Sequence, residues 1–125
     1  MQIDHINIKT PQDLMRQVCD FYCTVLGLEE GFRPSFSTAG HWLYSGDRPL
    51  VHLSLGHEQT GGAQRGYLDH VAFQTTGLDA FLARLEAHGI PYRSSHVAAL
   101  ELTQLFFEDP AGNGLEINFP GEVMP

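Results

Sequence analysis

A chain of 125 residues, 42 % of them hydrophobic and 18 % charged, has the size and composition of one globular domain with a real core. Its net charge of −8 excludes a nucleic-acid binder that tracks the phosphate backbone, because that task needs a basic face. No apolar run is long enough for a transmembrane helix, and no charged-then-apolar leader precedes the first strand pattern, so a cytoplasmic protein without membrane contact is expected.

In chain order, the alternation from Gln2 to Lys9 predicts a strand. Thr10-Pro11-Gln12-Asp13 then reads as a helix start, with a capping hydroxyl, a proline in the first turn and an acid at the positive end of the dipole. Leu14, Val18, Phe21 and Val25 keep helical spacing until Gly27. Three β-like segments follow, about Gly31 to Phe36, His41 to Ser45 and Leu50 to Leu55. The plan then repeats. A strand is predicted over Leu68 to Thr75, a helix through Leu78, Phe81, Leu82 and Leu85 that ends at His88-Gly89, and strands near Tyr92 to Ala98, Thr103 to Glu108 and Gly114 to Phe119. Between the halves, Gly56 to Gly66 is polar and glycine-rich and reads as a flexible connection. The expected fold is therefore α+β. Two tandem βαβββ modules, about 1–56 and 67–120, are joined by a linker at 57–66 into one domain over 1–125, with mixed sheets curling around a cavity.

The halves also agree residue by residue. Asp4-His5-Ile6-Asn7-Ile8-Lys9-Thr10 recurs as Asp69-His70-Val71-Ala72-Phe73-Gln74-Thr75, an offset of 65 residues. Each half ends on a largely apolar strand carrying one titratable residue, His52 in the first and Glu116 in the second, 47 and 46 residues after the histidine of its Asp-His pair. Alternate strand side chains point to opposite faces. On these four strands Ile6 and Ile8, Val51 and Leu53, Val71 and Phe73, and Leu115 and Ile117 are expected to cover the helices. That leaves His5, His52, His70 and Glu116 together on the other face. A lone strand histidine is usually solvated, and a lone glutamate more so; four in register point to a divalent-metal site. Imidazole and carboxylate suit Fe, Mn, Ni, Co or Zn, and two histidines with one carboxylate suit non-haem Fe(II) in particular.

Other residues read more plainly. Cys19 and Cys23, four apart on the first helix, are poorly placed for a disulfide and are taken as reduced thiols; a metal site built on them needs further ligands nearby. Gln104 and Asn118 are either partners of Glu116 or substrate, or an exposed amide ladder. Phe32, Trp42, Tyr44 and Phe106 are either a pocket wall or core. Lys9, Arg33 and Arg93 read as solvated surface. His41 and His57 have no partner in the repeat, His88 fits a helix C-terminus, and His96 is kept as a cavity residue.

The chain resembles the vicinal oxygen chelate superfamily, which includes glyoxalase I, fosfomycin- and bleomycin-resistance proteins, methylmalonyl-CoA epimerase and extradiol dioxygenases. The resemblance spans nearly the whole chain. It is carried by Asp4-His5-Ile6, Phe21-Tyr22 with Val25-Leu26-Gly27-Leu28, Asp69-His70-Val71-Ala72-Phe73 and, most specifically, Asp109-Pro110-Ala111-Gly112-Asn113-Gly114-Leu115-Glu116. It implies that His5, His70 and Glu116 are the metal ligands, that the ligand is a small oxygenated molecule, and that the chain forms a homodimer. His52 stands where glyoxalase I has a further carboxylate ligand. It is open to three readings: a fourth ligand, a proton-transfer residue or a cavity wall. The replacement favours Fe(II) dioxygenase-like chemistry with His52 as catalytic acid or base. The alternatives are glyoxalase- or epimerase-type proton transfer, and the metal-free binding of a drug or metabolite shown by bleomycin-resistance members.

Overall fold

The computed structural model describes residues 1–56 and 67–125; the linker expected at 57–66, with His57, lies outside the described residues. The chain separates into two compact units, Met1–Gly62 and Ala63–Pro125.

The first unit runs β1 (Ile6–Thr10), α1 (Gln12–Thr24), β2 (Glu29–Gly31), β3 (Gly40–Ser45) and β4 (Arg48–Leu55), and its sheet has the order β1-β4-β3-β2. The pair β1/β4 is parallel and the other pairs are antiparallel. The parallel pair is possible because α1 and β2–β3 supply the long crossover such a pair needs. The α1 side chains Met15, Val18 and Tyr22 are buried against this sheet together with Leu43, Val51 and Leu53. Each fully buried aliphatic or aromatic side chain of this kind contributes about 1.5–3 kcal/mol of transfer free energy. Gly27, at φ +77°, turns the chain out of the helix, and the Leu28 N–H closes on the Tyr22 carbonyl at 3.1 Å.

The second unit repeats the plan as β5 (His70–Gln74), α2 (Leu78–Ala87), β6 (Arg93–Val97), β7 (Leu102–Glu108) and β8 (Gly114–Pro120), with a 3-10 turn at Ala98–Leu100. Its sheet order is β5-β8-β7-β6, again with one parallel pair, β5/β8. Phe81 of α2 packs on Phe107 and Phe119, with ring centroids at 6.0 and 5.5 Å. Two mixed four-stranded sheets and two helices are the expected α+β, twice βαβββ.

Several expected boundaries move. β1 begins at Ile6, opposite Val51, so His5 precedes the ladder instead of lying within it; His70 is the first residue of β5. β2 is only Glu29–Gly31, and Phe32 to Phe36 is not strand: Pro34 has no N–H to give a ladder. Thr10 does not cap α1, whose N-cap position is Pro11 without a side-chain bond. Thr10 is still in β1, paired with Leu55 and buried.

Candidate functional site

Strand register makes the repeat exact in space. Asn7 lies beside His52 in the first sheet, and Ala72 lies beside Glu116 in the second. His52 and Glu116 thus occupy equivalent places. So do Trp42 and Phe106, their neighbours on the next strands.

In the first unit the structure brings His5 and His52 together. Their rings stack at 3.8 Å between centroids, and Trp42 stacks on the other side of His52 at 4.0 Å. The Asp4 carboxylate lies 2.7 Å from His5 Nδ1. A carboxylate only accepts, so Nδ1 carries the proton there. The ring of His52 bonds to the backbone of Pro49, which has no N–H, so the carbonyl is the acceptor. Its Nε2 is buried with no partner among the described residues, so Nδ1 is the donor and Nε2 the bare lone pair. Burial first, and the neighbouring His5 second, hold the His52 pKa below its ordinary value and keep the ring neutral.

In the second unit the structure brings His70 and Glu116 together. His70 Nδ1 faces Asp69 Oδ2 at 2.8 Å, and its Nε2 faces Glu116 Oε2 at 2.8 Å. Flanked by two carboxylates, the ring is pushed above its ordinary pKa, chiefly by the Asp69 hydrogen bond and then by Glu116. Glu116 is buried, although it lies on the sheet face opposite the helix. Its second oxygen accepts from the Gln104 amide, which also donates to Asn118 Oδ1 at 3.3 Å. Gln104 is therefore a partner of the site carboxylate, and Asn118 is linked to it only through Gln104.

Three further residues change standing. Arg93, read from sequence as surface, sits opposite Phe106 with its guanidinium 4.5 Å from the ring centroid. It lines a hollow of about 220 Å³ with His70, Asp69 and Phe106. The signal for it was its place in β6 opposite an aromatic of the site face. His96 is not a cavity residue. It pairs with Thr103 on the helix side of the sheet, and its ring lies 3.2 Å from the Thr103 hydroxyl. Phe32 is exposed and gives only its carbonyl, to the Tyr44 hydroxyl at 2.6 Å.

The donor set suits a divalent cation. In both Asp-His pairs the carboxylate fixes the imidazole through Nδ1 and leaves Nε2 for other use, the usual arrangement behind a metal-bound histidine. The 2.8 Å between His70 Nε2 and Glu116 Oε2 is close to the roughly 3 Å between neighbouring donors of an octahedral cation with bonds of about 2.1 Å.

In the metal-free protein the His70 ring is expected to titrate above 6.5 and the His52 ring below it, read by following ring-proton chemical shifts against pH. The stability His70 contributes is then present below pH 6.5 and lost as pH rises through its raised pKa. His52 acts in the opposite direction: stability falls as pH drops below 6.5 toward its lowered pKa. Both rings titrating together would contradict the geometry.

Two βαβββ units with paired Asp-His motifs define a protein of the glyoxalase-like class. The family model described as the Glyoxalase/Bleomycin resistance protein/Dioxygenase superfamily matches residues 2–117, and the chain belongs to that superfamily. No curated protein matches the sequence. Among solved structures, the chain is similar to a protein assigned to the glyoxalase family from Bacillus anthracis. That pair is 27 % identical at TM-score 0.71, covering 96 % of this chain and 95 % of that one. A glyoxylase/bleomycin resistance protein/dioxygenase domain from Frankia sp. EAN1pec aligns at TM-score 0.72 and 22 % identity, covering 99 % and 95 %. A mutant of the fosfomycin resistance protein FosX from Listeria monocytogenes, complexed with Mn(II) and a dihydroxypropylphosphonic acid, aligns at TM-score 0.66 and 15 % identity, covering 98 % and 94 %. Among the described residues no helix is long and apolar enough to cross a membrane.

Proposed function

We propose that this chain is a divalent-metal enzyme acting on a small oxygenated molecule, with His5, His70 and Glu116 as metal ligands and His52 as the proton-transfer residue. The observation that carries the reading is the state of the two rings. His70 is pinned between Asp69 and the buried Glu116, while His52 offers an Nε2 unpartnered among the described residues. The cation supplies Lewis-acid polarisation of substrate oxygens and, as Fe(II), redox chemistry with dioxygen.

The residues of the chain do the rest. Asp4 and Asp69 orient the ligand imidazoles. Gln104 holds the Glu116 carboxylate in place. The neutral His52 takes a proton at Nε2, and Trp42 keeps water from one face of that ring. Arg93 offers a cation to an anionic group of the substrate beside His70. Dioxygenase-like chemistry is favoured because position 52 carries an imidazole, a proton carrier near neutral pH, and not a further carboxylate ligand. Mn, Ni, Co or Zn in place of iron belongs with glyoxalase- or epimerase-type proton transfer.

Elemental analysis of protein purified without added metal tests the reading. About one iron per chain, with oxygen uptake on a catechol panel, is the expected result. Iron-free protein that carries Ni or Zn lost on Glu116→Gln, and takes up no oxygen, moves the assignment to proton transfer. Protein with neither metal content nor metal affinity overturns it in favour of a metal-free binding module.

The two modules are proposed to work as one domain, in a homodimer, the commonest closed assembly of soluble proteins. Sedimentation is expected to give twice the chain mass; a monomer mass at every concentration rules the dimer out.

A further inference from the structure

The first unit holds a second convergence of metal-binding side chains, on the helix-packed face of its sheet. Glu30 pairs with Leu43 across β2 and β3, and His41 pairs with Leu53 across β3 and β4. Residues paired across an antiparallel ladder share a face. Leu43 and Leu53 are buried under α1, so Glu30 and His41 point to the α1 side, away from Trp42 and His52. There they meet Cys19 of α1. One donor atom each from Cys19, Glu30 and His41 lies within 4.8 Å of the other two. Cys19 is buried, whereas Glu30 and His41 reach solvent and leave a way in. The His41 ring and the Glu30 carboxylate are already paired through Nδ1. Cys23 is not in a disulfide and stands one helical turn beyond Cys19 on α1.

We propose that Cys19, Glu30 and His41 form a structural metal site for Zn(II), or another borderline divalent cation, with the Cys23 thiol as fourth donor. Thiolate, imidazole and carboxylate together are the donor chemistry of zinc, and sulfur sets the site apart from an oxygen- and nitrogen-only site. Tetrahedral zinc at ordinary bond lengths separates its donors by about 3.3–3.6 Å. Three donors already within 4.8 Å need only a small contraction, which the exposed Glu30 and His41 side chains allow. The cation bridges α1 to the edge strand β2 and to β3, and so fastens a strand of only three residues.

The test uses the full chain, stripped with a chelator and titrated with Co(II). A thiolate-to-cobalt charge-transfer band in the near ultraviolet reports this site alone, because no other group on the chain offers sulfur as a thiolate. The band is expected to saturate within two equivalents in the wild type, where Co(II) also fills the His5, His70 and Glu116 site, and within one in Glu116→Gln, and to disappear when Zn(II) is added. His41→Ala and Glu30→Gln, both at solvent-reaching positions, are expected to weaken Co(II) binding by at least the roughly 10- to 100-fold that loss of even an outer partner causes. Cys19→Ser is expected to abolish the band, and Cys23→Ser to reduce it. Absence of the band at saturating Co(II), or a band indifferent to His41→Ala and Glu30→Gln in protein with unchanged circular dichroism, overturns the proposal. Either result leaves the His5, His70 and Glu116 reading untouched.

Discussion

Replacing Glu116 with Gln is expected to weaken divalent-metal binding by more than the roughly 10- to 100-fold that follows loss of an outer-shell partner, because the only proposed ligand with a negative charge is removed. The fold should survive. Gln has nearly the shape of Glu, and its amide oxygen can accept from Gln104 as the carboxylate does now. Its NH2 then faces His70 Nε2, where Glu116 Oε2 lies 2.8 Å away in the wild type. An amide donor facing Nε2 favours the neutral ring, so the His70 pKa should drop toward its ordinary value at the same time. Asp69 remains, so the drop should be partial. Calorimetric metal titration measures the first effect and ring-proton titration the second. Unchanged metal affinity would remove Glu116 from the ligand set. A lost affinity with an unmoved His70 would mean that the carboxylate acts elsewhere than on this ring.

Much of this was legible because a repeat supplies its own control. Period-2 alternation around Val51-His52-Leu53 and Leu115-Glu116-Ile117 assigned faces, and burial of the flanking apolar residues agrees with it. The βαβββ plan and mixed sheets were read, whereas the strand order within each sheet was not. What could not be read was long-range pairing. Gln104 meets Glu116 across β7 and β8, and Arg93 meets Phe106 across β6 and β7; only register, not local pattern, says so. His96 failed for the same reason, since its face depends on a one-residue choice of register against Thr103. The role of Asp4 and Asp69 was visible as a motif but not as chemistry, because an adjacent residue on a strand normally points to the other face. Both carboxylates reach their histidines because Asp4-His5 and Asp69 lie just before the ladders begin. The Cys19, Glu30 and His41 group joins a helix to two strands, a juxtaposition no spacing in the chain announces.

His52→Ala is expected to lower turnover by about a hundred- to ten-thousand-fold while leaving metal content nearly intact. The argument rests on the ring's hydrogen bonds. With Nδ1–H held by the Pro49 carbonyl and Nε2 unpartnered among the described residues, His52 is preset as a proton acceptor. Its lowered pKa extends the pH range in which it is neutral, so the acid limb of the rate profile should fall off below 6.5 in the wild type. That limb should vanish or move in the variant. If His52 is instead a fourth ligand, the same change releases the cation or weakens it strongly, and metal titration of the variant shows this before any substrate is known. If it only walls the cavity, substrate affinity shifts and turnover does not. A stacking role is separated from a chemical one by His52→Phe, which retains an aromatic ring between His5 and Trp42 but has no nitrogen. Turnover as low in His52→Phe as in His52→Ala, with metal retained in both, assigns the loss to Nε2. Recovery in His52→Phe would reduce the residue to a spacer that keeps His5 in place.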